Sequence, residues 1–128
     1  IGYSDDANET FNLPKDHIDY GKQVAAYYYW VFPNMMFNFY PWGLSVNVVK
    51  PISTNRTKVS FLTYVYDDTK LHKGAGNDID KVEREDEFIV ENESKGIQSS
   101  FYQSGRFSPT REKGVHHFQR LIAEFLDK

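Results

Sequence analysis

Asp86 and Glu93 are the residues whose placement in this 128-residue chain most invites chemistry. Asp86 lies four residues after Val82, three before Ile89 and four before Val90; Glu93 lies seven beyond Asp86 and Ile97 eleven beyond it. At about 3.6 residues per turn these positions share one helix face, so an apolar stripe carries two carboxylates. A buried, unpartnered carboxylate is costly and calls for a metal, a cation or several hydrogen-bond donors beside it. On that reading Asp86 is a metal ligand or a general base facing a cavity. The plainer alternative has Asp86 half exposed near the helix start, where the dipole favours it, and Glu93 in solvent. Histidine offers less. His116 and His117 are adjacent, so on a helix their rings point about 100° apart and cannot hold one ion. His17 and His72 are isolated, and helical metal ligands need separations of three or four. Met36, Asn38 and Tyr40 share a strand face, and a polar amide among large apolar groups is what a small-molecule site uses to orient its guest. The surrounding rings, Tyr27–Trp30, Phe37 and Phe39, serve equally well as core.

The elements that position these residues are legible from the pattern. Four runs rich in aromatic and β-branched residues, 25–32, 35–40, 44–51 and 58–66, are punctuated by Pro33-Asn34, Pro41-Trp42-Gly43 and Thr54-Asn55-Arg56, which predicts an antiparallel meander. In the third run Leu44, Val46 and Val48 form a core face opposite the mostly polar Ser45, Asn47 and Val49. The fourth is apolar on both sides, as if the sheet were covered on one side and enclosed a space on the other. Residues 1–24 are polar and without period, an irregular or partly helical lead-in outside the core. A helix is predicted over about 80–99. A second follows Ser108 as N-cap and Pro109 as first helical residue, burying Val115, Phe118, Leu121, Ile122, Phe125 and Leu126. Sheet first and helices after is an α+β domain.

Composition removes several function classes. A net charge of −3 argues against a nucleic-acid groove or a basic membrane patch. With no cysteine, this chain holds no disulfide, zinc knuckle, thiol nucleophile or iron–sulfur cluster. G-x-G-x-x-G, Walker and G-x-S-x-G motifs do not occur, and Gly74-Ala75-Gly76 reads as a flexible connection. The triplets at Asn8, Asn55 and Asn92 fit N-glycosylation only in a secreted protein, whereas a cysteine-free chain suits an intracellular home. The expectation is therefore a soluble, cytoplasmic protein. The opening Ile1 suggests that the stretch begins inside a longer gene product.

The stretch from Val31 to Val46 (VFPNMMFNFYPWGLSV), then Glu85-Asp86 and Glu91, then Gly96, GRFS from Gly105 and GVHHF from Gly114 resembles the catalytic domain of Rieske non-haem iron oxygenase alpha subunits. The subgroup is that of choline- and carnitine-monooxygenase-like and ring-hydroxylating enzymes. The resemblance runs from about Tyr28 to Leu126. It implies a helix-grip (START-like, Bet v 1-like) fold, an antiparallel sheet wrapped over a long C-terminal helix. It also implies mononuclear Fe(II) held by two histidines and one carboxylate, a facial triad that leaves positions open for O₂.

In that family the carboxylate comes from the helix bearing the Glu-Asp pair, which makes Asp86 the iron ligand. Glu91 and Glu93 would orient it or form a polar rim, and Asn34, Met36 and Asn38 would line the substrate pocket. A [2Fe-2S] Rieske cluster would sit on an upstream domain, fed by NAD(P)H through a reductase or ferredoxin, in a homotrimer acting on a small aromatic or amine substrate. The family's D-x-x-H-x(4)-H segment and its Cys-and-His Rieske motif do not occur here, and Ser94 stands where many relatives have Gln. The resemblance therefore implies the C-terminal part of a longer alpha subunit, inactive alone. Two other readings predict different surroundings. A helix-grip module binding a hydrophobic ligand without metal would pair Asp86 with Arg or Lys, and an interaction domain would offer a flat apolar patch.

Overall fold

The computed structural model describes residues 1–127 and divides them into two compact units, Ile1–Val82 and Glu83 onward. The first unit is a five-stranded antiparallel sheet with β1 (Gly2–Tyr3), β2 (Val24–Val31), β3 (Met35–Tyr40), β4 (Gly43–Ser53) and β5 (Arg56–Val65) side by side in chain order. The predicted meander is present, with each run of β-branched and aromatic residues a strand. Its register is fixed at the hairpins. Tyr40 pairs with Gly43, and Gly43 pairs in turn with Val65. The Trp42 carbonyl accepts the Tyr66 and Asp67 N–H groups at 2.8 and 3.0 Å, tying the end of β5 to the β3–β4 turn. Gly43 is required here. Its φ is +156°, and a Cβ would run into the Tyr64 carbonyl oxygen of the neighbouring strand. Gly43→Ala is expected to cost about 1–3 kcal/mol, read as a lower denaturation midpoint at unchanged slope.

The core is small. Val24, Ala25, Ala26, Tyr40, Trp42 and Val46 are buried, and Leu71, Ala75 and Ile79 pack against the cluster of Ala26, Tyr40 and Trp42. Tyr40 and Trp42 stack with centroids 5.1 Å apart, and the indole N–H donates to the Ala75 carbonyl at 3.3 Å.

Two expectations need correction here. The lead-in is tied to the sheet: β1 pairs with β2, the Phe11 N–H donates to the Val24 carbonyl at 2.8 Å, and Asp19 is buried. Backbone pairing with β2, which carries no hydropathy signal, is what orders it. In β4 the polar side is as buried as the apolar one, with Ser45 at 1% and Asn47 at 8% exposure beside Val46 at 5%. The two are compatible with burial because the Ser45 hydroxyl donates to the Asn47 side-chain oxygen at 3.3 Å.

Helix α1 spans Ile79–Gly96, close to prediction, and α2 spans Lys113–Leu126. Glu112, not Ser108, occupies the N-cap of α2. Residues 108–112 close a turn of their own: the Glu112 carboxylate accepts the Ser108 N–H at 2.6 Å, the Ser108 hydroxyl accepts the Arg111 N–H at 3.2 Å, and the Ser108 carbonyl accepts the Glu112 N–H at 3.1 Å. These are the bonds of an N-cap serine, so the cap read at Ser108 forms, but it closes a single turn over 109–111 that stops before α2 begins at Lys113. The helical stripes are amphipathic as read, but they are not buried. Val82, Ile89, Val90 and Ile97, like Val115, Phe118, Phe125 and Leu126, are exposed, while Leu121 and Ile122 are half-buried. An amphipathic stripe records which side can be buried; burial itself needs an apolar surface to meet it.

Candidate metal centre

Asp86 sits in the middle of α1 with its side chain in solvent, as do those of Glu91 and Glu93. The sequence pattern suggested a carboxylate forced among apolar neighbours. The structure removes that tension, because the neighbours are exposed as well. Among the described residues the Asp86 carboxylate makes no hydrogen bond or ion pair, so its oxygens are available as hard donors. Glu83, Arg84 and Glu85 beside it are engaged in interactions of their own.

A mononuclear iron of the facial-triad kind needs two imidazoles in addition to a carboxylate. Among the described residues no three His, Asp or Glu side chains converge closely enough to hold a metal ion. His17 is spent on the backbone, its Nδ1 accepting the Asp19 N–H at 3.0 Å, and His116 packs on Phe107 with centroids 5.3 Å apart. The described residues thus do not assemble a complete centre of that kind.

The sheet residues fall into two kinds. Asn34 is committed to the fold: its side-chain amide donates to the Val49 carbonyl at 2.7 Å while its backbone carbonyl accepts the Val49 N–H at 2.9 Å. Met36 and Asn38 are half-buried on one sheet face. Register sets Tyr28, Asn38, Ser45 and Thr63 in one row across β2 to β5, with Trp30, Met36, Asn47 and Phe61 in the next. Sequence reading found Asn38 but assigned Ser45 and Asn47 to an outer face. Counting register across the Pro41-Trp42-Gly43 turn, which sets Asn38 opposite Ser45, is the signal that would have found them. The opposite face carries Tyr27, Tyr29, Phe37, Phe39, Val46, Leu62 and Tyr64, and an open groove of about 640 Å³ runs over its hairpin end between Phe11, Phe39, Leu44, Tyr64 and Lys70.

One polar cluster escaped sequence reading altogether. The Asp19 carboxylate accepts from Lys22 at 2.6 Å and from the Tyr27 hydroxyl at 3.0 Å, with the rings of Phe11 and His17 against Tyr27. The Lys22 bond holds the Asp19 carboxyl below its usual 3.8, against the opposing effect of burial. Burial, then the bond to Asp19, pushes the Tyr27 hydroxyl from 10.0 up to about 12. A lowered acid contributes stability above its unfolded pKa and loses it as pH falls through the folded value. A raised phenol contributes below its unfolded pKa and loses it as pH rises through the folded value. Thermal stability of this unit is therefore expected to fall on the acid side below 3.8 and again between 10.0 and about 12. Tyr27→Phe is expected to cost about 1 kcal/mol at neutral pH and to remove its share of the alkaline step, as thermal melts across pH would record.

The whole stretch from residue 6 to residue 128 matches the family model of the ring hydroxylating alpha subunit (catalytic domain). The chain belongs to that family. Its curated relatives include the chloroplastic choline monooxygenase of Arabidopsis thaliana, 34% identical over 102 residues that make 76% of this chain and 24% of that protein. Those of Atriplex hortensis and Spinacia oleracea are 31% and 30% identical over 109 residues, 80% of this chain and again 24% of theirs. The chain thus spans about a quarter of the length of these curated relatives. No solved structure matches it. The resemblance read from the sequence is confirmed at the level of the family, as is the α+β class. Among the described residues no helix is long and apolar enough to cross a membrane, and the relatives' names place those proteins in chloroplasts rather than the cytoplasm.

Proposed function

We propose that this ring-hydroxylating family member forms the catalytic-domain part of a Rieske-type oxygenase, with Asp86 as the carboxylate ligand of a mononuclear non-haem Fe(II). The observation that carries the reading is a mid-helix carboxylate, solvent-facing and without a salt-bridge partner among the described residues, within a chain of this family. The rival ligand-binding module predicted Asp86 paired with a cation. When bound, the iron would supply activation of O₂ for hydroxylation of a small organic substrate. The two imidazoles a facial triad requires are not brought to Asp86 by the described residues, so the chain alone is expected to bind Fe(II) weakly and to be inactive.

The rest of the proposal follows from the same membership. The residues form one catalytic-type domain of a longer alpha subunit, of helix-grip design. A Rieske [2Fe-2S] cluster on another domain, NAD(P)H through a reductase or ferredoxin, a homotrimer and a cytoplasmic or plastid stroma setting belong to it as well. Glu91 and Glu93 form the polar rim, and Met36 and Asn38 line the pocket, with Asn34 holding the β3–β4 pair beneath them. The relatives' name favours a choline-like amine over an aromatic hydrocarbon as substrate, and ring faces such as Tyr29 and Tyr64, more than half exposed, suit a cationic headgroup. The test is O₂ uptake by the intact alpha subunit with its reductase, offered quaternary amines and aromatic acids in parallel. Uptake coupled to hydroxylated product supports the reading, and ligand binding with no uptake for any substrate would favour the non-enzymatic module.

A further inference from the structure

Three readily oxidised rings lie in contact from the core of the first unit to its surface. Trp42 is 1% exposed, Tyr40 8% and Tyr28 52%. Tyr40 stacks on Trp42 with centroids 5.1 Å apart and planes at 11°, and meets Tyr28 edge to face at 6.1 Å. Indole and phenol surrender a single electron more easily than other side chains apart from thiolates, and this chain has no cysteine to intercept an oxidant.

We propose that Trp42, Tyr40 and Tyr28 form a relay that carries an oxidising equivalent out of the sheet core to solvent. A one-electron oxidant of the peroxyl-radical class takes an electron from the Trp42 indole and a proton from water, leaving as the hydroperoxide. The ring keeps its proton, because the N–H is held by the Ala75 carbonyl, and becomes a radical cation. An electron then passes from Tyr28 through the Tyr40 ring to Trp42 and restores the neutral indole. The half-exposed Tyr28 phenol releases its proton to water as its electron leaves, and becomes a tyrosyl radical. A reductant of the thiol or ascorbate class in solution returns one electron, and water one proton, to Tyr28. Coupling between rings falls steeply with separation, so contact at each step is what makes this route faster than damage at Trp42. The relay does not depend on the oxygenase reading, since any one-electron oxidant serves.

The lack of native cysteine makes the test specific. Lys73→Cys, at an exposed position two residues before Ala75, is labelled with a ruthenium polypyridyl photo-oxidant and flashed with an external electron acceptor present. Transient absorption is expected to record an indole radical giving way to a tyrosyl radical that ascorbate quenches. In the labelled protein Tyr40→Phe is expected to lengthen the indole-radical lifetime severalfold. Tyr28→Phe is expected to abolish the ascorbate-quenched tyrosyl signal, and Tyr20→Phe to change neither. Equal indole lifetimes in all of these proteins, or a tyrosyl signal that survives Tyr28→Phe, would overturn the relay whether or not the protein ever binds iron.

Discussion

Replacing Asp86 by alanine in the intact alpha subunit is expected to abolish oxygenase turnover while leaving the fold as stable as before. The two halves of that result have separate causes. Loss of even an outer-shell partner of a metal ligand commonly weakens binding about 10–100-fold, so loss of the ligand itself exceeds that. The side chain stands in solvent in the middle of α1, makes no bond among the described residues, and so stabilises nothing locally. Alanine is the better helix former, by up to about 0.7 kcal/mol, which makes any stability change an increase. A structural carboxylate gives the opposite pattern, with stability falling and activity following it. Thermal melts and steady-state turnover on the same preparation separate the two.

Trp42→Ala is expected to act in the reverse sense, through the fold alone. The indole is 1% exposed, stacked on Tyr40 and bonded to the Ala75 carbonyl, which anchors the segment after β5 to the core. Truncating a buried tryptophan costs about 3–5 kcal/mol. Domains of this size are stable by about 5–15 kcal/mol, so the variant loses a large part of its folded population at moderate denaturant. Trp42→Phe keeps a ring for the stack and loses the N–H bond, at about 1 kcal/mol. Denaturant titrations that rank wild type, Trp42→Phe and Trp42→Ala in that order would bear this out; near-equal midpoints for the last two would mean that the ring's packing contributes little.

The strands were legible because their boundaries are chemical: Pro33-Asn34, Pro41-Trp42-Gly43 and Thr54-Asn55 break runs that nothing else interrupts. The face that is covered was not legible at β4. Alternation separates Leu44, Val46 and Val48 from Ser45 and Asn47, but parity does not say which side meets a cover, and the Ser45–Asn47 bond makes the polar side burial-compatible. The start of α2 was misplaced because Ser108 and Pro109 carry the same signal for a helix N-terminus and for the closed turn they make with Glu112. The Asp19 cluster left no trace in periodicity, since its members join a loop to a strand eight residues on. Spacing within an apolar stripe singled out Asp86, yet that stripe is exposed, and the role proposed for the residue rests on the motif order that resembles its family instead.

The claim on which the rest depends is that Asp86 holds the mononuclear iron, and iron content tests it without reference to any substrate. In the intact alpha subunit, Asp86→Asn keeps the shape of the side chain and removes its charge. Metal analysis is expected to find the iron of the Rieske cluster retained and the mononuclear iron lost. Mononuclear iron at the wild-type level in that variant would contradict the assignment.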